Sequence, residues 1–458
     1  MSVSYTFISK AKDVAFDLSH RQKIKFNIGK YDAAVEKGRL RYQNLSLAKD
    51  RAAYIKRKVL SELPELLERF ESQISKRGVT VLWAKTDHEV MELVKSIAVQ
   101  EEIRQVVKSK SMTTEEVEFN EQLLEIGVET LETDLGEFIV QIAGEKPYHI
   151  VTPAMHKSKE DVDKLFHEKF NTPSGSSPEE LTAFVRDYLR RKFLDADLGV
   201  TGANFLIADT GSITLTENEG NALLSASFPR IHIVLAGIEK ILPSVKDLDL
   251  FWPLLAAHGT GQQMTVYNSL FSGSKRVGET DGPEKMFVIL IDNGRSELYK
   301  QNELYQSLSC IRCGACLNGC PIYKNIGGYT YNATYSGPIG SVITPHFKDF
   351  KAYKHLSHAS SLCGKCGEVC PVKIPLPDLL LENRRKSVEM GYFPMVEKVA
   401  VQGVNYAFSN SKYLDLVNGK VKNSFLQLFM KNVLGDKRTL PELPKESFRQ
   451  QWLKLRRK

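Results

Sequence analysis

All seven cysteines of the 458-residue chain lie between Cys310 and Cys370, in two blocks. The first block reads Cys310-Ile-Arg-Cys313-Gly-Ala-Cys316-Leu-Asn-Gly-Cys320-Pro321, and the second reads Cys363-Gly-Lys-Cys366-Gly-Glu-Val-Cys370-Pro371. The first block is a complete C-x2-C-x2-C-x3-C-P run, the pattern by which bacterial ferredoxins hold a [4Fe–4S] cluster. Three thiolates that are each separated by two residues reach three corners of one iron–sulfur cube. The spacing therefore predicts iron–sulfur chemistry.

The same pattern assigns the ligands, because in two-cluster proteins the fourth cysteine of each run ligates the other cluster. Cluster one then takes Cys310, Cys313, Cys316 and Cys370, and cluster two takes Cys320, Cys363 and Cys366. Ser360 stands where a cysteine would complete the second run. We therefore expect two [4Fe–4S] clusters, the second with only three cysteine ligands.

Two other uses of cysteine fit the pattern less well. Structural zinc is held by four ligands in two pairs, whereas this chain has seven cysteines, two of which are followed directly by proline. Disulfides need an oxidising compartment, and seven is an odd number.

The composition is that of an ordinary globular protein, with 42% hydrophobic and 26% charged residues. The formal charge of +7 is small for this length, and no lysine or arginine stripe predicts a nucleic-acid partner. The longest apolar runs, such as 231–238, are strand-sized, so we expect no transmembrane segment. The N-terminus carries no charged-then-apolar signal. With its thiols confined to one region, the chain is expected to be cytoplasmic.

The pattern along the chain predicts four regions. Residues 1–75 read as a charged, N-terminal helical arm. Residues 76–296 read as a parallel α/β domain, because strands alternate with capped helices. Residues 297–390 read as a helical two-cluster ferredoxin-type domain. Residues 391–458 read as a helical extension with an extended tail near 440–444 and a basic, solvated helix end. The fold class is therefore α/β plus all-α.

Several local elements are expected inside the α/β domain. Residues 79–84 and 106–107 read as strands, and the segments beginning at Thr86 and Thr113 read as capping boxes. Ser177 is expected to cap a helix with proline at its first position. One strand is expected to reach Ala208, with a tight turn at 209–211 and a returning strand at 212–216. A further strand at 231–235 is expected to lead into a helix.

Polar residues outside the cysteine region are further candidates for a site. The stretches 199–202 and 259–261 contain glycines but match no nucleotide motif, and ordinary turns explain them better. His149 and His156, beside Glu132 and Asp134, read either as structural histidines or as facing a ligand pocket. The residues around the predicted hairpin are Asn204, Asp209, Glu217, Asn218 and Glu219. Turn chemistry accounts for Asp209, and the segment 217–219 is the better site candidate.

A family resemblance emerges from these residues. The chain resembles the lactate utilization protein B family, in particular its form from Gram-positive bacteria. The resemblance is carried by the segment Gly199-Val-Thr-Gly-Ala-Asn-Phe-Leu-Ile-Ala-Asp-Thr-Gly-Ser-Ile213 and by the two cysteine blocks that follow it. The resemblance covers nearly the whole chain, including 335–340 and 447–452. It implies that the first domain is a LUD domain, related in fold to ribose-phosphate isomerases and CoA transferases.

The resemblance also implies a function. The family acts in L-lactate oxidation to pyruvate, beside a cysteine-rich iron–sulfur protein and a second LUD protein. Its cluster ligands match all seven cysteines, and the family pattern itself has seven. No catalytic residue of the LUD domain can be carried over to this chain.

These observations favour an electron relay in L-lactate oxidation. Oxidising a 2-hydroxy acid removes two electrons, usually as a hydride, whereas an iron–sulfur cluster accepts one electron at a time, and a flavin or nicotinamide normally connects the two. The sequence shows a fingerprint for neither cofactor. Two alternatives remain open: an enzyme subunit whose LUD domain binds and oxidises lactate itself, and a redox sensor with a labile second cluster. Anaerobic visible absorbance on addition of L-lactate separates the three.

Overall fold

The computed structural model describes residues 2–393, 395–409, 411–430 and 439–456. The chain divides into two compact units, Met1–Lys386 and Ser387–Lys458. Outside the described residues lie residue 1 of the predicted arm and, in the predicted C-terminal extension, residues 394, 410, 431–438, 457 and 458. The boundaries predicted near residues 75, 296 and 390 stay predictions.

All strands found among the described residues belong to the first unit. They are β1 (Val79–Ala84), β2 (Gln105–Lys108), β3 (Glu129–Glu132), β4 (Leu198–Thr201), β5 (Phe205–Ile207), β6 (Ser212–Glu217), β7 (Ile231–Gly237), β8 (Ile241–Leu242), β9 (Tyr267–Phe271) and β10 (Lys285–Ile291). Six of them form a parallel sheet in the order β1-β10-β7-β4-β2-β3. The other four form a smaller sheet in the order β8-β5-β6-β9, in which β6 is antiparallel to both of its neighbours.

Helices precede, cover and follow these sheets. Those that precede the cysteine blocks are α1 (Val3–Phe16), α2 (Leu18–Arg39), α3 (Leu45–Ser61), α4 (Leu63–Ser75), α5 (Asp87–Gln100), α6 (Met112–Glu116), α7 (Phe119–Leu124), α8 (Leu135–Ile142), α9 (Lys159–Phe170), α10 (Pro178–Asp195), α11 (Asn221–Ser227), α12 (Leu248–Gly259) and α13 (Arg295–Tyr299). Those around and after the cysteines are α14 (Ala315–Gly319), α15 (Pro321–Ile326), α16 (Gly337–Phe347), α17 (Phe350–Tyr353), α18 (His355–His358), α19 (Lys365–Val369) and α20 (Leu376–Glu389). Short 3-10 turns cover Ile238–Lys240, Val245–Asp247, Leu304–Ser309 and Tyr329–Tyr331.

The second unit contains short helices. They are α21 (Met395–Ser409), α22 (Ser411–Asp415), α23 (Gly419–Phe425) with a π-helical turn at Leu426–Met430, and α24 (Phe448–Arg456). Among the described helices of the chain, none combines the length and the hydropathy that crossing a bilayer requires.

The predicted parallel α/β architecture followed by a helical cysteine-containing segment is confirmed. The cap at Ser177 is confirmed in detail: its side chain accepts from Glu180 N–H, and the Glu180 carboxylate accepts from Ser177 N–H. The capping box expected at Thr113 is wrong, because Ser111 caps α6. Thr86 does cap α5, but the Glu89 carboxylate accepts from Lys85 N–H and not from the cap residue.

The strand expected up to Ala208 is divided between the two sheets, so it is wrong as one continuous strand. The tight turn at 209–211 and the returning strand are confirmed, because β5 and β6 pair as an antiparallel hairpin. β4 lies between β7 and β2 in the parallel sheet, and β5 starts the smaller sheet after the turn at residues 202–204. Gly199 allows β4 to approach α11, since a Cβ at this position would lie 1.7 Å from the Ser225 carbonyl oxygen. Likewise β7 leads into the 3-10 turn Ile238–Lys240 and β8, and not directly into a helix.

One hydrophobic cluster joins several parts of the first unit. It includes Phe70 of α4, Phe205 of β5, Phe251 of α12, Tyr323 of α15 and Val342 of α16, all of them fully buried. The N-terminal helices, the smaller sheet and the cysteine-containing segment therefore share a core.

Candidate iron–sulfur site and adjoining cavity

The two cysteine blocks have the same backbone conformation. In the first, Arg312 (φ 59°) and Gly314 (φ 77°) flank Cys313, and in the second, Leu362 (φ 52°) and Gly364 (φ 84°) flank Cys363. In each block a short helix, α14 or α19, follows and ends at a cysteine before proline. The repeat explains the glycines, because residues at positive φ turn the chain tightly around the place where a cluster would lie.

The structure brings the cysteines together in two groups. Cys310, Cys313, Cys316 and Cys370 line one pocket. In the other group, burial raises the pKa of the Cys366 thiol to about 11, with smaller contributions from Cys320 and Cys363. These are the two sets that the sequence pattern assigns to clusters one and two, and iron ligation itself stays a prediction.

The sulfur geometry fits a cluster better than a single metal ion. All seven cysteines are free of disulfides. Among the described residues, which include all of them, no three Sγ atoms lie within 4.8 Å of one another. A tetrahedral zinc with Zn–S bonds of about 2.3 Å would hold its sulfurs about 3.8 Å apart. A cluster that places iron and sulfide between the thiolates needs wider spacing.

Backbone donors also fit a cluster. The Arg312 N–H donates to Cys310 Sγ, and the Ile374 N–H donates to Cys370 Sγ, each at 3.4 Å. Hydrogen bonds to the sulfurs are one of the levers by which proteins set the potential of such clusters. Burial raises the pKa of Cys370 to about 11, so its thiolate needs the positive charge of iron.

A second cavity, of about 650 Å³, adjoins the pocket lined by Cys310, Cys313, Cys316 and Cys370, and we call it the central cavity. Loops that follow β2, β3, β4 and β7 form much of its wall, together with residues of α2 and α12. Ligands of open α/β sheets commonly bind at the carboxyl ends of the strands. Cys313 and Arg312 of the first cysteine block complete the wall.

Most of the polar residues weighed from sequence line the central cavity. These are Asp134, His149, Asn204, Glu217, Asn218 and Glu219. Gly202 and Gly259, which were interpreted as ordinary turn residues, also line it.

Three of the weighed residues lie elsewhere and have structural partners. The His156 ring pairs with Glu145 at 2.6 Å, Glu132 pairs with Lys108 at 2.7 Å, and Asp209 accepts from Val245 N–H at 3.2 Å.

Lys108 belongs to a buried carboxylate cluster. Oxygen atoms of Glu115, Glu132 and Glu137 lie within 4.8 Å of one another. The Lys108 ammonium lies among them, at 3.3, 2.7 and 3.9 Å. The position of a cation in this cluster is therefore already taken by the lysine, and we do not assign a metal to it.

The sequence interpretation missed the basic residues of the central cavity, among them Lys110 and Lys240. The Lys110 ammonium donates to Asp134 at 3.0 Å and to the Val151 carbonyl at 3.3 Å. Lys240 is buried, and no hydrogen bond or ion pair of its Nζ is found among the described residues. Burial, with the nearby Arg312 guanidinium, lowers the pKa of Lys240 to about 8. A lysine inside the apolar stretch 235–242 was the sequence signal that could have revealed it.

A buried network of charges joins the parallel sheet to the first cysteine block. Arg295 donates to both oxygens of Glu116, at 2.9 and 2.8 Å, and to Glu239 at 2.6 Å. Tyr335 donates to Glu116 at 2.5 Å, and the Arg312 guanidinium lies 4.3 Å from the centre of the Tyr335 ring. These contacts fix the position of Arg312 beside Cys313.

Two family models match the chain, the LUD domain at residues 67–291 and the 4Fe-4S dicluster domain at residues 306–374. The second match covers all seven cysteines.

Curated relatives match over most of the chain. Proteins named lactate utilization protein B from Bacillus cereus (strain AH820), Bacillus thuringiensis (strain Al Hakam) and Bacillus anthracis (strain CDC 684 / NRRL 3495) are each 43% identical over 349 residues, covering 76% of this chain and 73% of the relative. Among solved structures, a DUF162 family protein from Deinococcus radiodurans is 16% identical, covers 50% of this chain and 98% of its own, and has a TM-score of 0.29, too low to carry an argument.

Proposed function

The chain belongs to the lactate utilization protein B family, and from this membership we propose that it is an iron–sulfur electron-transfer protein in the oxidation of L-lactate to pyruvate. The observation that carries the proposal is the arrangement of seven free cysteines in two groups, one of which borders a large cavity in the LUD domain. The protein serves the use of lactate as a carbon source.

Electron relay is the role that the chemistry favours. Each cluster accepts one electron, whereas lactate gives up two, so another group must receive the hydride. The protein works with other lactate-utilization subunits, a cysteine-rich iron–sulfur protein and a second LUD protein, in the cytoplasm. It is therefore an electron-transfer subunit and not a self-sufficient dehydrogenase.

The ligand sets follow the two groups of cysteines. Cluster one is held by Cys310, Cys313, Cys316 and Cys370, and cluster two by Cys320, Cys363 and Cys366. Cluster two keeps one iron without a cysteine ligand. The LUD domain extends over about residues 76–296 and the cluster domain over about 297–390, between an N-terminal helical region and a C-terminal extension.

Anaerobic co-purification with the two other subunits, followed by iron, sulfide and flavin analysis, tests the proposal. We expect close to eight irons per chain, together with co-elution of both subunits. Zinc in place of iron, or a chain that elutes alone at every salt concentration, would contradict it.

A further inference from the structure

Lys240 places an unpaired positive charge inside the molecule. The residue is 8% exposed, it lines the central cavity, and its Nζ makes no hydrogen bond or ion pair with any described residue. Buried charges in folded proteins are normally paired, because an isolated ammonium loses its hydration without compensation. An anion inside the cavity would supply the missing partner.

Other buried polar groups of the wall also lack partners. Ser109 Oγ and Arg312 Nη1 are each buried without a hydrogen bond among the described residues. The tautomer of His149 follows from its contacts, since its Nδ1 accepts from Val151 N–H at 3.0 Å and from Thr152 N–H at 3.3 Å. Its Nε2 therefore carries the proton, with the Asn318 side chain beside the ring. Ser109 and Arg312 thus leave donors free for a ligand at the cavity wall.

The size of the cavity argues for a ligand larger than lactate. A volume of about 650 Å³ equals that of roughly twenty water molecules. Pockets of about 300–1,000 Å³ bury cofactor-sized or drug-sized molecules. Met112, Ile150, Leu215 and Leu255 add apolar surface to the lining, which suits a planar ring.

We propose that the central cavity binds an anionic, nucleotide-sized organic hydride carrier that can pass on its electrons singly, with its oxyanion group on Lys240 and its ring system near Cys313. The inference rests on the proposed function, because it supplies the two-electron acceptor that the clusters lack. A reduced flavin gives up two electrons and two protons to become oxidised flavin. The two clusters accept one electron each, and the protons pass to water.

Flavin mononucleotide is the probe, added to the anaerobically purified full-length protein and followed by equilibrium dialysis. The test variant is Lys240→Met, which keeps the apolar stem and removes the charge, so its fold should be retained, and circular dichroism verifies this. Lys246→Met, at an exposed position six residues away, is the matched control. We expect wild type and Lys246→Met to bind alike, and Lys240→Met to bind about tenfold or more weakly. Lys240→Arg should restore binding, because arginine keeps the charge.

The same dialysis with NAD and with L-lactate defines the ligand class. Binding of NAD in place of flavin mononucleotide would overturn the proposal, because a nicotinamide gives up its two electrons together as a hydride and cannot pass one electron to each cluster. Failure of flavin mononucleotide to bind, or its equal binding by wild type and Lys240→Met, would also overturn it. Binding of L-lactate alone in a Lys240-dependent way would also overturn it, and would make the cavity a substrate site. None of these results depends on electron transfer with partner subunits, so the proposed function can fail or hold separately.

Discussion

Ser360 is the structural counterpart of Cys310. The Leu362 N–H donates to Ser360 Oγ at 3.2 Å, just as the Arg312 N–H donates to Cys310 Sγ at 3.4 Å. Arg384 holds this part of the chain by donating to the Ser360 carbonyl at 2.9 Å. We therefore predict that the serine hydroxyl stands at the place of the fourth ligand of cluster two, where a hydroxyl would ligate iron less readily than a thiolate because of its high pKa.

The first prediction concerns this incomplete ligand set. Brief exposure of the anaerobic protein to air should yield a [3Fe–4S] electron-spin signal, because the iron without a cysteine leaves first. Ser360→Cys should suppress the signal, whereas Ser361→Cys, at the exposed neighbouring position, should not. Equal oxidation of wild type and Ser360→Cys would mean that Ser360 is not near cluster two, and the ligand assignment would have to be redrawn.

The second prediction concerns the buried pair of Arg295 and Glu116. Arg295→Met leaves the Glu116 and Glu239 carboxylates buried without their main cation, so the free energy of unfolding should fall by about 3–5 kcal/mol. Urea unfolding followed by circular dichroism measures it. Lys300→Met, which removes only an exposed pair with Glu297, should leave it nearly unchanged. Similar losses in both variants would contradict the importance of the buried network.

The third prediction concerns the buried His232. Burial lowers its pKa to about 3, so the ring stays neutral in the folded chain while it takes up a proton near pH 6.5 in the unfolded chain. Since the unfolded state then binds more protons, stability falls as the pH decreases below about 6.5.

Comparison of wild type with His232→Gln isolates this effect. Between pH 7.5 and pH 5.5 the wild type should lose about 1.4 kcal/mol more of its free energy of unfolding than the variant does. The exposed His88 provides the control, and His88→Gln should follow the wild type. An identical pH dependence of wild type and His232→Gln would show that His232 is not held neutral.

The fourth prediction concerns removal of iron. Residues 76–296 contain no cysteine and carry both sheets, so anaerobic chelation should leave the strands protected from hydrogen exchange. The segment 297–390 should exchange faster, because its short helices surround the cysteines. Loss of protection throughout β1, β7 and β10 would mean that the sheet depends on iron.

Among the sequence signals, the cysteine pattern predicted most about the candidate site, because ligand spacing is a local property of the chain. Ser177 and Pro178 likewise predicted the start of α10 by local chemistry alone. The division of 199–208 between two sheets could not be predicted in this way, since the break depends on which distant strands accept β4 and β5 as neighbours.

The central cavity could not be predicted from local sequence either. Glu217 and His149 were weighed as separate candidates, and only the fold brings them to one wall. Lys240 was missed because the sequence of 235–242 does not show whether the lysine pairs with its neighbour Glu239, and its lack of a partner is visible only in three dimensions. The strand β10 was also missed, although its buried run 286–291 is typical of the centre of a parallel sheet.

The most direct test of the proposed electron relay is the visible absorbance of the anaerobic protein on addition of L-lactate. The flavin-free protein alone should keep its iron–sulfur absorbance, and the same protein mixed with the cysteine-rich subunit and the second LUD subunit should bleach. Rapid stoichiometric bleaching of the isolated, flavin-free protein by L-lactate would contradict the relay, and would make this chain the lactate-oxidising enzyme itself.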